Sequence, residues 1–83
     1  MRTLNLGAGY DRWGTDKIDI LPLQPDILIF DLNSNKPLPY KDNTFDEIRL
    51  HSTITLLTNP QFILDECYRV LKRGGIKNNN KQQ

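Results

Sequence analysis

The chain has 83 residues, 37% of them hydrophobic and 25% charged, with a formal net charge of +1. This composition excludes a disordered polymer and gives no electrostatic reason to expect nucleic acid or an anionic membrane as a partner. At this length there is room for one domain, whose core buries only a little over ~60% of the unfolded surface.

One cysteine forms no internal disulfide, and no His/Cys cluster offers a metal site. No run approaches the ~18 apolar residues of a membrane span, and Met1–Leu6 lacks the apolar stretch of a secretory signal. The expected setting is the cytoplasm.

The first predicted element is a strand over Thr3–Leu6, where Leu4 and Leu6 alternate with Thr3 and Asn5. It runs into Gly7-Ala8-Gly9, and a glycine turn at a strand end lets backbone approach a ligand. Residues 8–15 form a loop too short for the crossover helix that joins parallel strands, which usually needs about ten to twelve residues. Tyr10 and Trp13 in that loop suit either a cofactor cover or a cover for exposed sheet edge.

Two more strands follow at Asp16–Ile20 and at Ile27–Phe30, each ending in an acid, Asp19 and Asp31. The continuous apolar run of the third predicts burial on both faces. Turn formers then fill Asn33–Asn43, and Phe45–Leu50 reads as a fourth strand. His51–Thr58 has no single reading, because its β-branched residues stand where a helical turn would start.

A helix is predicted over Pro60–Arg73. Asn59 is the N-cap, Pro60 the first helical residue, and Ile63, Cys67, Val70 and Leu71 form one apolar stripe. Lys72 and Arg73 would complement the helix dipole, and Gly74-Gly75 would stop the helix. Residues 76–83 are rich in Asn, Gln and Lys and read as a polar, disordered tail.

Taken in order, Leu4-Asn5-Leu6-Gly7-Ala8-Gly9, Lys17-Ile18-Asp19-Ile20, Ile29-Phe30-Asp31-Leu32, Leu38-Pro39-Tyr40-Lys41-Asp42-Asn43-Thr44-Phe45-Asp46-Glu47-Ile48 and Glu66-Cys67-Tyr68-Arg69-Val70-Leu71-Lys72-Arg73-Gly74-Gly75 resemble the class I S-adenosylmethionine-dependent methyltransferases. The resemblance covers roughly residues 3–75 and is closest to compact members with a short link after the glycine turn.

It implies S-adenosylmethionine as cofactor and methyl transfer as the activity. By the same resemblance, backbone N–H groups of Gly7-Ala8-Gly9 would face the cofactor carboxylate, with Asn5 supporting its amino-acid end. Asp19 would accept from the ribose hydroxyls, since a carboxylate offers two acceptor oxygens. Asp31 would accept from the adenine amino group, with Leu32 beside the base. His51 is the one catalytic candidate, as a base for the acceptor. The residues alone also allow plain turn glycines and strand-end caps at Asp19 and Asp31.

The sequence departs from the family pattern in three places. Asn5 stands where an acid is more common. Ser52-Thr53-Ile54-Thr55-Leu56 replaces a His-x-x-Glu-His run. The family sheet has strand order 3-2-1-4-5-7-6, whereas this chain is expected to end after the helix that precedes strand five.

The expected fold is therefore α/β: a partial Rossmann-like open sheet, mostly parallel, in strand order 3-2-1-4, with one main helix. Residues 1–75 would form a truncated cofactor-binding domain. Strand four would be an open edge, available to a protein partner or to a second copy, and a non-catalytic subunit pairing through that edge is the alternative function. A nicotinamide-dinucleotide site fits poorly. Arg12 occupies the last glycine of Gly-x-Gly-x-x-Gly, and Asp19 follows Gly9 too closely to be the ribose acid of that motif.

Overall fold

The structure, a computed structural model, describes residues 1–50 and 57–79. Strands β1 (Thr3–Leu6), β2 (Asp16–Asp19), β3 (Ile27–Ile29) and β4 (Phe45–Leu50) are followed by helix α1 (Pro60–Val70) and strand β5 (Leu71–Asn79). They form one sheet in the order β3-β2-β1-β4-β5, and every pairing in it is parallel.

Register sorts the side chains onto two faces. Leu6 lies beside Ile18 on one side and Leu50 on the other, and Leu4 lies beside Ile48. These residues are at most 2% exposed and form one buried cluster with Ile63, Cys67 and Val70 of α1. The helix stripe thus packs as its spacing predicts. On the opposite face Asn5 lies between Lys17 and Arg49.

The loop of residues 8–15 contains no helix and lies over this second face. Asn5 Nδ2 donates to the Trp13 carbonyl at 2.9 Å, and the Arg49 guanidinium stacks over the Trp13 ring at 3.9 Å. Trp13 thus lies over the face of the interior strands β1 and β4 and not over a sheet edge.

The helix begins as expected. The Asn59 side chain accepts from the Phe62 N–H, and Pro60 occupies the first turn. Its end differs. Leu71 is the C-cap, with extended backbone, so Lys72 and Arg73 lie beyond the helix and Arg69 is the basic residue of its last turn.

Gly74 and Gly75 belong to β5, as do residues 76–79, which the sequence assigned to a tail. The β4 edge is accordingly not open. The outermost strands among the described residues are β3 and β5. The physical reason is tertiary. β4 offers a full row of backbone donors and acceptors, and a polar segment satisfies them as well as an apolar one does.

Pairing runs from Phe45↔Leu71 through an irregularity to Leu50↔Asn79. A β-carbon on Gly75 would come within 2.9 Å of the Lys72 carbonyl and 3.0 Å of that of Asp46, so the backbone closes in where only hydrogen fits.

β3 also departs from expectation. Its apolar run is not buried on both faces, because Leu28 is 44% and Ile29 49% exposed. As the terminal strand it has a neighbour on one side only.

Candidate functional site

In open parallel sheets ligands bind beyond the carboxyl ends of the strands, where the strand order reverses. Here β1 passes to β2 on one side and to β4 on the other, so that point lies at the end of β1. The glycine turn follows there. Gly7 and Gly9 have φ of 71° and 56°, a region open to glycine and strained for most residues.

The turn is tied to β2. The Ile18 carbonyl accepts from the N–H groups of Gly7 at 2.9 Å and Ala8 at 3.0 Å. The Gly9 N–H donates to Asp19 Oδ2 at 2.7 Å, and Asp19 Oδ1 accepts from the Leu21 N–H at 3.2 Å. The three N–H groups of Gly7, Ala8 and Gly9 hold the turn against β2, and nothing lies within 4 Å of where a β-carbon on Gly9 would sit.

Asn5 is wholly buried beneath the turn. Its Nδ2 reaches Asp11 Oδ2 at 3.3 Å as well as Trp13, while its Oδ1 has no partner among the described residues. Gln24, which the sequence reading did not single out, donates from Nε2 to the carbonyls of Gly9 at 3.0 Å and Asp11 at 2.6 Å. A side chain from the β2–β3 connection therefore holds the loop after β1, a contact with no local sequence signal.

The second predicted acid is placed differently. Asp31 Oδ1 accepts from the Asn33 N–H at 2.8 Å, and the Asp31 carbonyl accepts from Ser34, forming a tight turn after β3. Asp31 is exposed, and Leu32 is half-buried against the core. The structure brings together Asn5, Gly7, Ala8, Gly9 and Asp19, with Asp31 at the end of the neighbouring strand. Phe30 N–H donates to the Asp19 carbonyl at 3.0 Å and joins the two strand ends. His51, with Ser52–Leu56, lies outside the described residues. No group of three metal-ligating side chains occurs among the described residues.

A second cluster was also missed. Arg69 donates to both Glu66 carboxylate oxygens, to Asp42, and to the carbonyls of Leu38 and Tyr40, all at 2.8–3.1 Å. Glu66 in turn accepts from the Leu38 N–H at 2.8 Å. The pair clamps the loop before β4 onto α1. Arg69 holds the Glu66 carboxyl below its ordinary value, with the Leu38 N–H adding to the effect and burial opposing it. The Glu66–Arg69 spacing of i,i+3 was the available signal.

A parallel sheet in this order with a glycine turn at its reversal point is a Rossmann-like nucleotide-binding arrangement. Residues 15–77 match the methyltransferase domain family, and the chain belongs to that family.

Over 38 residues it is 55% identical to the ubiquinone/menaquinone biosynthesis C-methyltransferase UbiE of a Ruegeria species, a match covering 46% of this chain and 15% of that protein. A SAM-dependent methyltransferase from Thermotoga maritima superposes with a TM-score of 0.66 at 24% identity, over 86% of this chain and 39% of that one. The [4+2]-cyclase SpnF superposes at 0.65 and 22% identity, over 86% of this chain and 35% of that one. The chain thus spans well under half the length of these relatives. At this identity the two structures show the shared fold alone.

Proposed function

We propose that the chain binds S-adenosylmethionine at the end of β1 and takes part in methyl transfer. The observation that carries this reading is the Gly9–Asp19 contact. It holds an acid beside a glycine turn at the reversal point of the sheet, with open space beyond Gly9.

The donor set fits the cofactor. Each Asp19 oxygen accepts one backbone N–H and keeps a lone pair for a ribose hydroxyl. Asp31 has a second oxygen that accepts no hydrogen bond among the described residues and suits the adenine amino group, with Leu32 beside the base. Asn5 supports the turn from below through Asp11 and Trp13. When bound, the cofactor supplies an electrophilic sulfonium methyl. The chain's own contribution is to position it, and positioning is a large part of catalysis for a direct displacement. His51 is the proposed base for the acceptor. The lone cysteine, Cys67, is buried in the core cluster, and the setting proposed for the chain is the cytoplasm. No helix among the described residues is long and apolar enough to cross a membrane.

The test is a thermal melt with and without S-adenosylhomocysteine. Ligand at about a hundred times its dissociation constant adds ~2.7 kcal/mol, which for a domain this small raises Tm by roughly ten degrees or more. A cooperative melt that does not shift defeats the proposal.

A further inference from the structure

On the second face of the sheet, away from α1, lies a cleft of about 410 Å³ lined by Tyr10, Arg12, Lys17, Gln24, Pro25 and Asp26. We propose that it binds a phosphate monoester.

The argument starts from Lys17. Its side chain is only 7% exposed, yet its ammonium has one hydrogen-bond partner among the described residues, Asp26 Oδ2 at 2.6 Å. An ammonium carries three donors, and a buried donor without a partner is costly. Two N–H groups are therefore available to a ligand in the cleft.

Arg12 is the second observation. It makes no hydrogen bond or ion pair among the described residues, and it stands close enough to Asp26 to lower the pKa of that carboxyl, after the larger effect of Lys17. The lining thus carries two cations against one carboxylate. A phosphoryl group offers three acceptor oxygens, enough to meet an arginine fork and an ammonium together. The Tyr10 ring, 76% exposed, and Pro25 supply an apolar wall for an organic body. The cleft falls within the usual size range of small-molecule sites, ~300–1,000 Å³.

Gln24 couples the cleft to the rest of the molecule. The same side chain that lines it holds the Gly9 and Asp11 carbonyls.

The experiment is an NMR titration of the 83-residue chain with phenyl phosphate, with inorganic phosphate, and with sodium chloride at matched ionic strength. Saturable shifts at Arg12, Lys17 and Gln24 with phenyl phosphate, a dissociation constant raised at least about tenfold in Arg12→Ala, and tighter binding in Asp26→Asn are expected. Arg12 is exposed, so its replacement leaves the fold in place, which the spectrum itself verifies. Absence of saturable shifts, shifts reproduced by chloride, or an unchanged constant in Arg12→Ala overturns the site. Inorganic phosphate binding as tightly as phenyl phosphate supports the anion contacts and overturns the organic body.

Discussion

The Gly9 N–H donates to Asp19 Oδ2 at 2.7 Å and joins the turn after β1 to the end of β2. Asp19 therefore has a structural task beside its proposed ribose contacts. Asp19→Ala removes the acceptor for two backbone N–H groups, Gly9 and Leu21. A charged acceptor of this kind contributes roughly 1.5–3 kcal/mol. Because the site is partly open to water, the low end is expected. The variant should lose about 1–2 kcal/mol of stability and its response to S-adenosylhomocysteine. Urea midpoints read the first and calorimetric titration the second. Unchanged cofactor affinity would remove Asp19 from the proposed site.

Gly9 and Gly75 separate two uses of glycine. At Gly9, φ is 56° and nothing lies within 4 Å of where a β-carbon would sit. Gly9→Ala then costs ~1–2 kcal/mol of left-handed strain, without a clash, and places a methyl group in the proposed cofactor space. The expected outcome is a folded protein with weakened S-adenosylhomocysteine binding. At Gly75 the same change meets the Lys72 and Asp46 carbonyls at 2.9 and 3.0 Å. Backbone cannot yield as a side-chain tip does, so Gly75→Ala should separate β5 from β4. Amide exchange across β4 checks this, and protection equal to that of the parent chain would contradict it.

How much of this was legible in the sequence depends on the range of each interaction. β1, β2 and β4 could be read because their alternation is local, and the start of α1 because Asn59 and Pro60 act within one turn. β5 could not be read. Gly74-Gly75 and the residues after it carry the composition of a chain end, and their pairing comes from the open side of β4, some thirty residues earlier. The exposure of Leu28 and Ile29 was missed for the converse reason: an apolar run reports hydrophobicity, while burial also requires elements packed over both faces, and β3 contributes no residue to the buried cluster. At the candidate site, the glycines and Asp19 stood out by type and order. Their mutual hydrogen bond, and Gln24 beside it, arise only when β1 and β2 lie side by side.

Arg69 gives a test of packing away from the site. Its guanidinium, in a side chain only 29% exposed, is the partner of Glu66, Asp42 and two loop carbonyls. Arg69→Ala leaves the carbonyls of Leu38 and Tyr40 without that donor and the Glu66 carboxylate without its counter-charge. We expect a loss of about 2–3 kcal/mol after allowing for partial solvent screening. Arg69→Lys should recover little, because a single ammonium cannot serve carboxylate and carbonyls in different directions. Denaturant midpoints of the two variants decide it. A lysine variant as stable as the parent would show that charge alone, and not the fork, holds the loop.

The same pair sets a pH dependence. Glu66 has its folded-state pKa lowered from an ordinary value near 4.5, first by hydrogen bonds from Arg69 and then by the Leu38 N–H. A depressed carboxyl binds fewer protons folded than unfolded, so it adds stability above the unfolded value. That stability is lost as pH falls through the folded one. The contribution should be complete at neutral pH, begin to decline near pH 4.5, and vanish once the folded carboxyl is protonated. Glu66→Gln keeps an acceptor for the Leu38 N–H but has no charge to titrate. The parent should therefore be more stable than the variant at pH 7, and the difference should shrink as pH drops below about 4.5. Asp26 and Asp46 are also held low by their partners. They titrate equally in both proteins and cancel in the difference. Urea melts of the pair at pH 7 and at pH 3 measure it directly. A stability difference independent of pH would mean that Glu66 acts by shape and hydrogen bonding, with no net contribution from its charge.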